Sequence, residues 1–101
     1  MTVAIGVDVG TGGARAVAVD EHGAIVSAST SEYPLLTPRP QWTEQDPAEW
    51  WRATREALAA VSAACRNERH EIVGIGLTGQ MHGSVFLDAA GDVIRPALLW
   101  N

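Results

Sequence analysis

The stretch Val7 to Arg15 reads VDVGTGGAR and places an acidic residue inside an apolar run, followed at once by glycines and a threonine. An ionised carboxylate within apolar sequence is costly unless it is paired or serves an ion. A carboxylate at a strand end can organise a hydrated magnesium ion, which gives Asp8 a chemical reason to be there. Gly10 and Gly12 let backbone amides approach phosphate oxygens closely, Thr11 adds a hydroxyl, and Arg15 adds a fixed positive charge. A second reading stands beside this one: a tight hairpin whose glycines supply positive φ angles, with Asp8 capping the turn.

The flanking elements decide what such a loop can be. Val3 to Val9 is short, apolar and β-branched, which suits a buried strand. Ala14 to Asp20 alternates, and the turn Glu21-His22-Gly23 leads into Ala24 to Thr30, so the glycine loop joins two strands of an antiparallel meander. It is therefore neither a Walker loop nor a dinucleotide fingerprint, both of which open a helix.

Three prolines from Pro34 to Pro40 make an extended crossing. A helix follows, with Asp46 as cap, Pro47 in its first turn and Glu49 placed to close a capping box. Its apolar face comprises Trp50, Thr54, Ala57, Leu58, Val61 and Cys65, and it ends near Arg66 to Asn67. Ile72 to Thr78 is a second continuous apolar strand, and the loop Gly79 to Gly83 lies beyond it. Strands are expected over Ser84 to Asp88 and Val93 to Trp100, with Asp88 and Asp92 explained by the turn between them and Glu44 by entry to the helix. The order defines an α/β domain with a mixed sheet.

Composition excludes several functions. The 101 residues permit one small domain, and nearly half of them are apolar. A net charge of -5, with all seven basic residues arginines and none clustered, makes nucleic acid and membrane surfaces poor partners. The single cysteine, Cys65, allows no internal disulfide and reads as a small core residue on the helix. With neither a secretory leader nor a long apolar segment, a cytoplasmic location is expected.

Three quoted stretches narrow the fold and the chemistry together. The strand, D-x-G-T loop, strand, turn, strand, helix arrangement resembles the phosphate-binding hairpin of the actin-like, ribonuclease-H-like ATPases. QWTEQDPAEWW (41–51), GLTGQMHGSVFLD (76–88) and IRPALLWN (94–101) resemble the N-terminal part of the FGGY carbohydrate kinases, and within them the xylulokinase branch. The resemblance runs in order along the whole chain. It implies that residues 1–101 form the N-terminal part of the first, sugar-binding kinase domain. The implied reaction moves the γ-phosphate of ATP onto the 5-hydroxyl of D-xylulose, with Mg2+ as cofactor.

Carried over by position, Asp8 would organise metal and phosphate. Gly10, Thr11 and Gly12, with Arg15 nearby, would face the transferred phosphate, and Gln80, Met81 and His82 would bind the sugar. A histidine supplies directional hydrogen bonds to hydroxyls and a methionine apolar contact to CH faces, whereas without the resemblance the pair would read as incidental or structural. Trp42, Trp50, Trp51 and Trp100 are given no direct role.

The family's second domain, its adenosine-binding segments and its general-base aspartate have no counterpart in these residues, so the chain is expected to be inactive alone. Its partners would be D-xylulose or a related sugar, ATP and the remainder of the kinase chain, with a homodimer possible for the full-length protein. The alternatives are another FGGY kinase, of gluconokinase or ribulokinase type, or a non-catalytic sugar-binding or interaction remnant.

Overall fold

A computed structural model describes residues 1–100; Asn101, the last residue of the IRPALLWN stretch, lies outside the described residues. Strands β1 (Thr2–Val9), β2 (Gly13–Asp20) and β3 (Ile25–Glu32) form the expected meander. A two-residue strand β4 (Glu44–Gln45) precedes helix α1 (Pro47–Asn67), which leads to β5 (Glu71–Gly79) and a two-residue β6 (Ala97–Leu98). The main sheet runs β3-β2-β1-β5, with β1 and β5 parallel and the other pairs antiparallel. β4 and β6 pair separately.

Alternation in the first two strands sets the core. Val3, Ile5 and Val7 of β1 and Ala14, Ala16 and Ala18 of β2 are buried, while Ala4, Gly6, Asp8 and Arg15 face the other side. Helix α1 lays Ala53, Ala57, Val61 and Cys65 on that buried face. Alanines on both the strand and the helix permit a close approach, which the larger Ile5, Val7 and Val61 then fill. Trp50, Thr54 and Leu58 flank this stripe and are only half-buried. The helix is 21 residues long and begins on Asp46, whose carboxylate accepts from the Ala48 amide at 3.0 Å. Such a cap contributes about 1 kcal/mol. The capping box does not close: the Glu49 carboxylate accepts instead from Arg52 Nε at 2.8 Å, a stronger, charge-assisted partner.

Three further expectations are corrected. Asp8 is not buried, because the alternation turns it to the uncovered face. β5 is not a buried strand either: at the sheet edge, Val73 and Leu77 are 62% and 76% exposed. The region from Ser84 to Trp100 forms only the short β6 and isolated bridges at Ser84↔Leu98 and Leu87↔Val93, since Gly91 (φ 90°) and Pro96 interrupt any longer ladder. Asp88 does make the turn, accepting from the Ala90 and Asp92 amides at 2.9 Å.

Candidate active site

The β1–β2 connection is a two-residue hairpin. Val9 pairs with Ala14, and the Gly10 amide donates to the Gly13 carbonyl at 3.0 Å, leaving Thr11 and Gly12 at the tip. None of the three loop glycines has a positive φ, so conformational freedom does not explain them. Gly13 is there for proximity, since a Cβ would lie 2.6 Å from the Ser31 carbonyl oxygen. At Gly12 a Cβ would meet nothing within 4 Å, so the tip is open to an approaching group.

The carbonyl oxygens of this loop point inward, each to a partner from another segment. Gly10 O accepts from the Tyr33 hydroxyl, Thr11 O from Gln45 Nε2, and Gly12 O from the Tyr33 amide at 3.3 Å. Within a planar trans peptide the N–H points opposite to the C=O. The Thr11 and Gly12 amides are thereby turned outward, where they hold no backbone partner among the described residues. Two outward amides at a hairpin tip form a small cradle for an anionic oxygen.

Gln45 organises the region behind the tip. It is 1% exposed, and its Oε1 accepts from Gln80 Nε2 at 2.9 Å and from Trp50 Nε1 at 2.8 Å. Gln80 in turn accepts from the Thr11 hydroxyl at 3.2 Å, and its backbone amide donates to Val9 O at 2.8 Å. Gln80, read as a sugar ligand, thus has both ends of its side-chain amide engaged inside the protein. The Thr11 hydroxyl has given its hydrogen to Gln80, leaving lone pairs to offer outward.

Two adjoining hollows open in front of this network. One, of about 360 Å³, is lined by Asp8, Gly10, Thr11, Gly79, Gln80, Met81 and Trp100. The other, of about 300 Å³, is lined by Val9, Trp50, Gly79, Gln80, His82, Gly83 and Val85. Gly79 and Gln80 form the wall they share. The structure therefore brings Asp8, Gly10, Thr11, Gln80 and Met81 to one concavity and sets His82 beside it. Gly12 stands exposed at the tip, and Arg15 lies apart, on the uncovered sheet face in register with Asp8. His82 adopts φ 60°, a left-handed conformation unusual for a residue with a Cβ and one that concentrates at ligand sites.

Sequence reasoning missed four participants, the first being Trp100, which was given no direct role but lines the Asp8 hollow. Tyr33 and Gln45 hold the glycine loop, and Trp50, read as core packing, donates to Gln45 and walls the His82 hollow. Glu44 was assigned to helix entry, but it is a buried β4 residue ion-paired with Arg95, which ties the 84–100 segment to the start of the helix. The only signal for Glu44, Gln45 and Trp50 was the stretch from Gln41 to Trp51 itself, and Tyr33 and Arg95 had none, because a polar side chain about to be buried has no periodicity to betray it.

The Tyr33 phenol is pushed above its ordinary value, first by burial and then by the negative charge of Asp8. A group whose folded pKa is raised contributes stability that is present below its unfolded value, about 10, and is lost as pH rises through the folded value. The chain has no lysine and one tyrosine, so this range is nearly free of other side-chain titrations. The urea midpoint is expected to fall as pH is raised above about 10, and Tyr33→Phe should flatten that decline. An identical alkaline slope in the variant would show that the phenol is not responsible.

No group of three or more His, Cys, Asp or Glu side chains comes together as a metal cage among the described residues. A single exposed carboxylate, Asp8, beside the outward amides would nevertheless suit Mg2+, an ion commonly held by one or two carboxylates with water and substrate phosphate oxygens.

An uncovered sheet with a hairpin presenting outward amides, a carboxylate beside it, and a second loop from the adjacent parallel strand closing the same concavity is the architecture of the actin-like kinase fold. Residues 3–101 match the N-terminal domain of the FGGY family of carbohydrate kinases, and the chain belongs to that family. It is 42% identical over 97 residues to a xylulose kinase of Klebsiella pneumoniae, covering 96% of this chain and 20% of that protein. The xylulose kinase structure from Rhodospirillum rubrum superposes with a TM-score of 0.90 at 33% identity, covering 96% of this chain and 20% of that one. A Brucella ovis structure described as a xyloylose kinase gives 0.85 at 45% identity, again covering 96% and 20%. The chain thus spans about a fifth of the length of the relatives it matches.

Proposed function

We propose that this chain supplies the sugar-side wall and the phosphate hairpin of an ATP-dependent pentulose kinase that converts D-xylulose to D-xylulose 5-phosphate. The observation that carries the reading is the convergence of the glycine hairpin and the Gln80–His82 loop on one concavity. Identity to xylulose kinases supports the choice of sugar.

In this reading Met81 and Trp100 give the sugar apolar contact and His82 hydrogen-bonds its hydroxyls. The outward amides of Thr11 and Gly12 receive the transferring phosphate. Asp8 would hold Mg2+, which when bound would neutralise charge on the phosphate. Arg15, one strand further along, contributes field rather than contact, and Gln80 braces the loop from behind. The adenosine site and the general base lie in other parts of the enzyme. The enzyme would be cytoplasmic and would act on small soluble substrates; no helix among the described residues is long and apolar enough to cross a membrane. A homodimer of the whole enzyme is part of the same proposal.

The test is ADP release by the intact polypeptide that carries these residues, with D-xylulose, D-ribulose, gluconate and glycerol compared at equal concentration. The expected result is a kcat/KM for D-xylulose at least ~10-fold above the others, the scale on which a few polar contacts discriminate between related substrates. Preference for another of the four would move the assignment to that branch of the family, and release indifferent to sugar would overturn it. The 101 residues alone are expected to release no ADP in response to sugar, since phosphoryl transfer needs groups on both sides of the transferring phosphate.

A further inference from the structure

Gln45 lines neither hollow, yet its side chain joins three residues that do: Thr11, Gln80 and Trp50. Its Nε2 holds the Thr11 carbonyl, and its Oε1 receives Gln80 and Trp50. The Thr11 hydroxyl closes the circuit onto Gln80. The ring Gln45–Thr11–Gln80 therefore links the tip of the hairpin to the root of the sugar loop through a buried Gln45 and two half-buried partners. A glutamine suits this position because it both donates and accepts; no apolar residue of similar size could hold a carbonyl and two N–H donors at once. Leaving such buried partners unpaired is costly, so the circuit has one low-energy arrangement rather than many.

We propose that Gln45 is a positioning residue: it fixes the spacing between the phosphate hairpin and the sugar loop, so that the acceptor hydroxyl and the transferring phosphate meet in line. The inference rests on the pentulose-kinase reading given above. Its consequence is specific to turnover. Each loop retains its own ligand contacts when the link is cut, so sugar binding persists, whereas in-line transfer requires both loops in register and suffers from a displacement of even an ångström.

The experiment compares Gln45→Ala and Gln45→Glu in the intact polypeptide with Val61→Ala, a core truncation remote from both hollows. All are assayed well below their measured unfolding midpoints. Gln45→Ala is expected to lower kcat by roughly 10–100-fold while the sugar KM stays within about threefold, and Val61→Ala to leave kcat unchanged despite its lower midpoint.

Gln45→Glu is isosteric and provides a second readout. Its ionised carboxylate still accepts from Trp50 and Gln80 but cannot donate to the Thr11 carbonyl; once protonated it can. Its kcat relative to the unaltered enzyme should therefore recover as pH falls, a signature that lost stability would not produce in folded protein. Gln45 variants with a lower midpoint but full kcat would overturn the assignment and leave the residue a purely structural one. An unaltered polypeptide that phosphorylates no sugar would overturn the functional reading itself, and this inference with it.

Discussion

Gly13→Ala should destabilise the chain by about 3 kcal/mol, the upper end of what overpacking costs. An added Cβ would lie 2.6 Å from Ser31 O, 3.2 Å from Ser31 C and 3.0 Å from Glu32 Cα. All three are backbone atoms of β3, so no side chain can swing aside to accommodate the methyl; the strands must separate. The strain has a direct route to the site, because Tyr33 follows β3 immediately and holds the Gly10 and Gly12 carbonyls. Gly12→Ala is the matched control: the space is open and φ is not positive, so a change within about 0.5 kcal/mol is expected. Urea unfolding of the two variants decides the matter. Equal midpoints would mean that β2 and β3 do not approach at Gly13 as described.

The second large effect concerns activity alone. Asp8→Asn preserves shape and removes charge, and in the intact polypeptide it should lower kcat by roughly 10²–10³-fold, the scale of losing one electrostatic contact to a transferring group. Its unfolding midpoint should stay put. The Asp8 side chain is exposed and makes no hydrogen bond or ion pair among the described residues, Arg15 included although the two are in register. A carboxylate left unpaired at the mouth of a concavity contributes little to folding, which is why the midpoint is expected not to move. Retention of activity within about threefold would remove Asp8 from the phosphate site; a large fall in midpoint would show a structural duty instead.

These two neighbours illustrate what can be read from residues in order. The meander, the helix with Asp46 as its cap and the position of the glycine hairpin follow from local rules, each acting over fewer than about eight residues. The residue types of the site were equally legible: a carboxylate before a glycine loop, and a histidine beside a methionine after an apolar strand.

Tertiary structure alone decided which side of the sheet each group faces and what holds it. Asp8 sits in an apolar run yet is exposed, because burial belongs to one face of a strand and the sequence does not say which face is covered. β5 reads as a buried strand, but a strand is buried only by what packs on it, and here it forms the sheet edge. The expected strands after Ser84 reduce to bridges, since propensity without a partner makes no ladder. Gln45, Tyr33 and the Glu44–Arg95 pair lie 34, 23 and 51 residues from the groups they hold. Polar contacts over such separations are made by the packing of the helix and its flanking segments against the sheet, and no spacing rule along the chain encodes them. The amino-acid sequence by itself determined the meander, the helix and the residue types on offer; the fold determined that the hairpin and the 79–83 loop share one wall, where the buried Gln45 amide joins the direct Thr11–Gln80 and Gln80–Val9 hydrogen bonds in holding them.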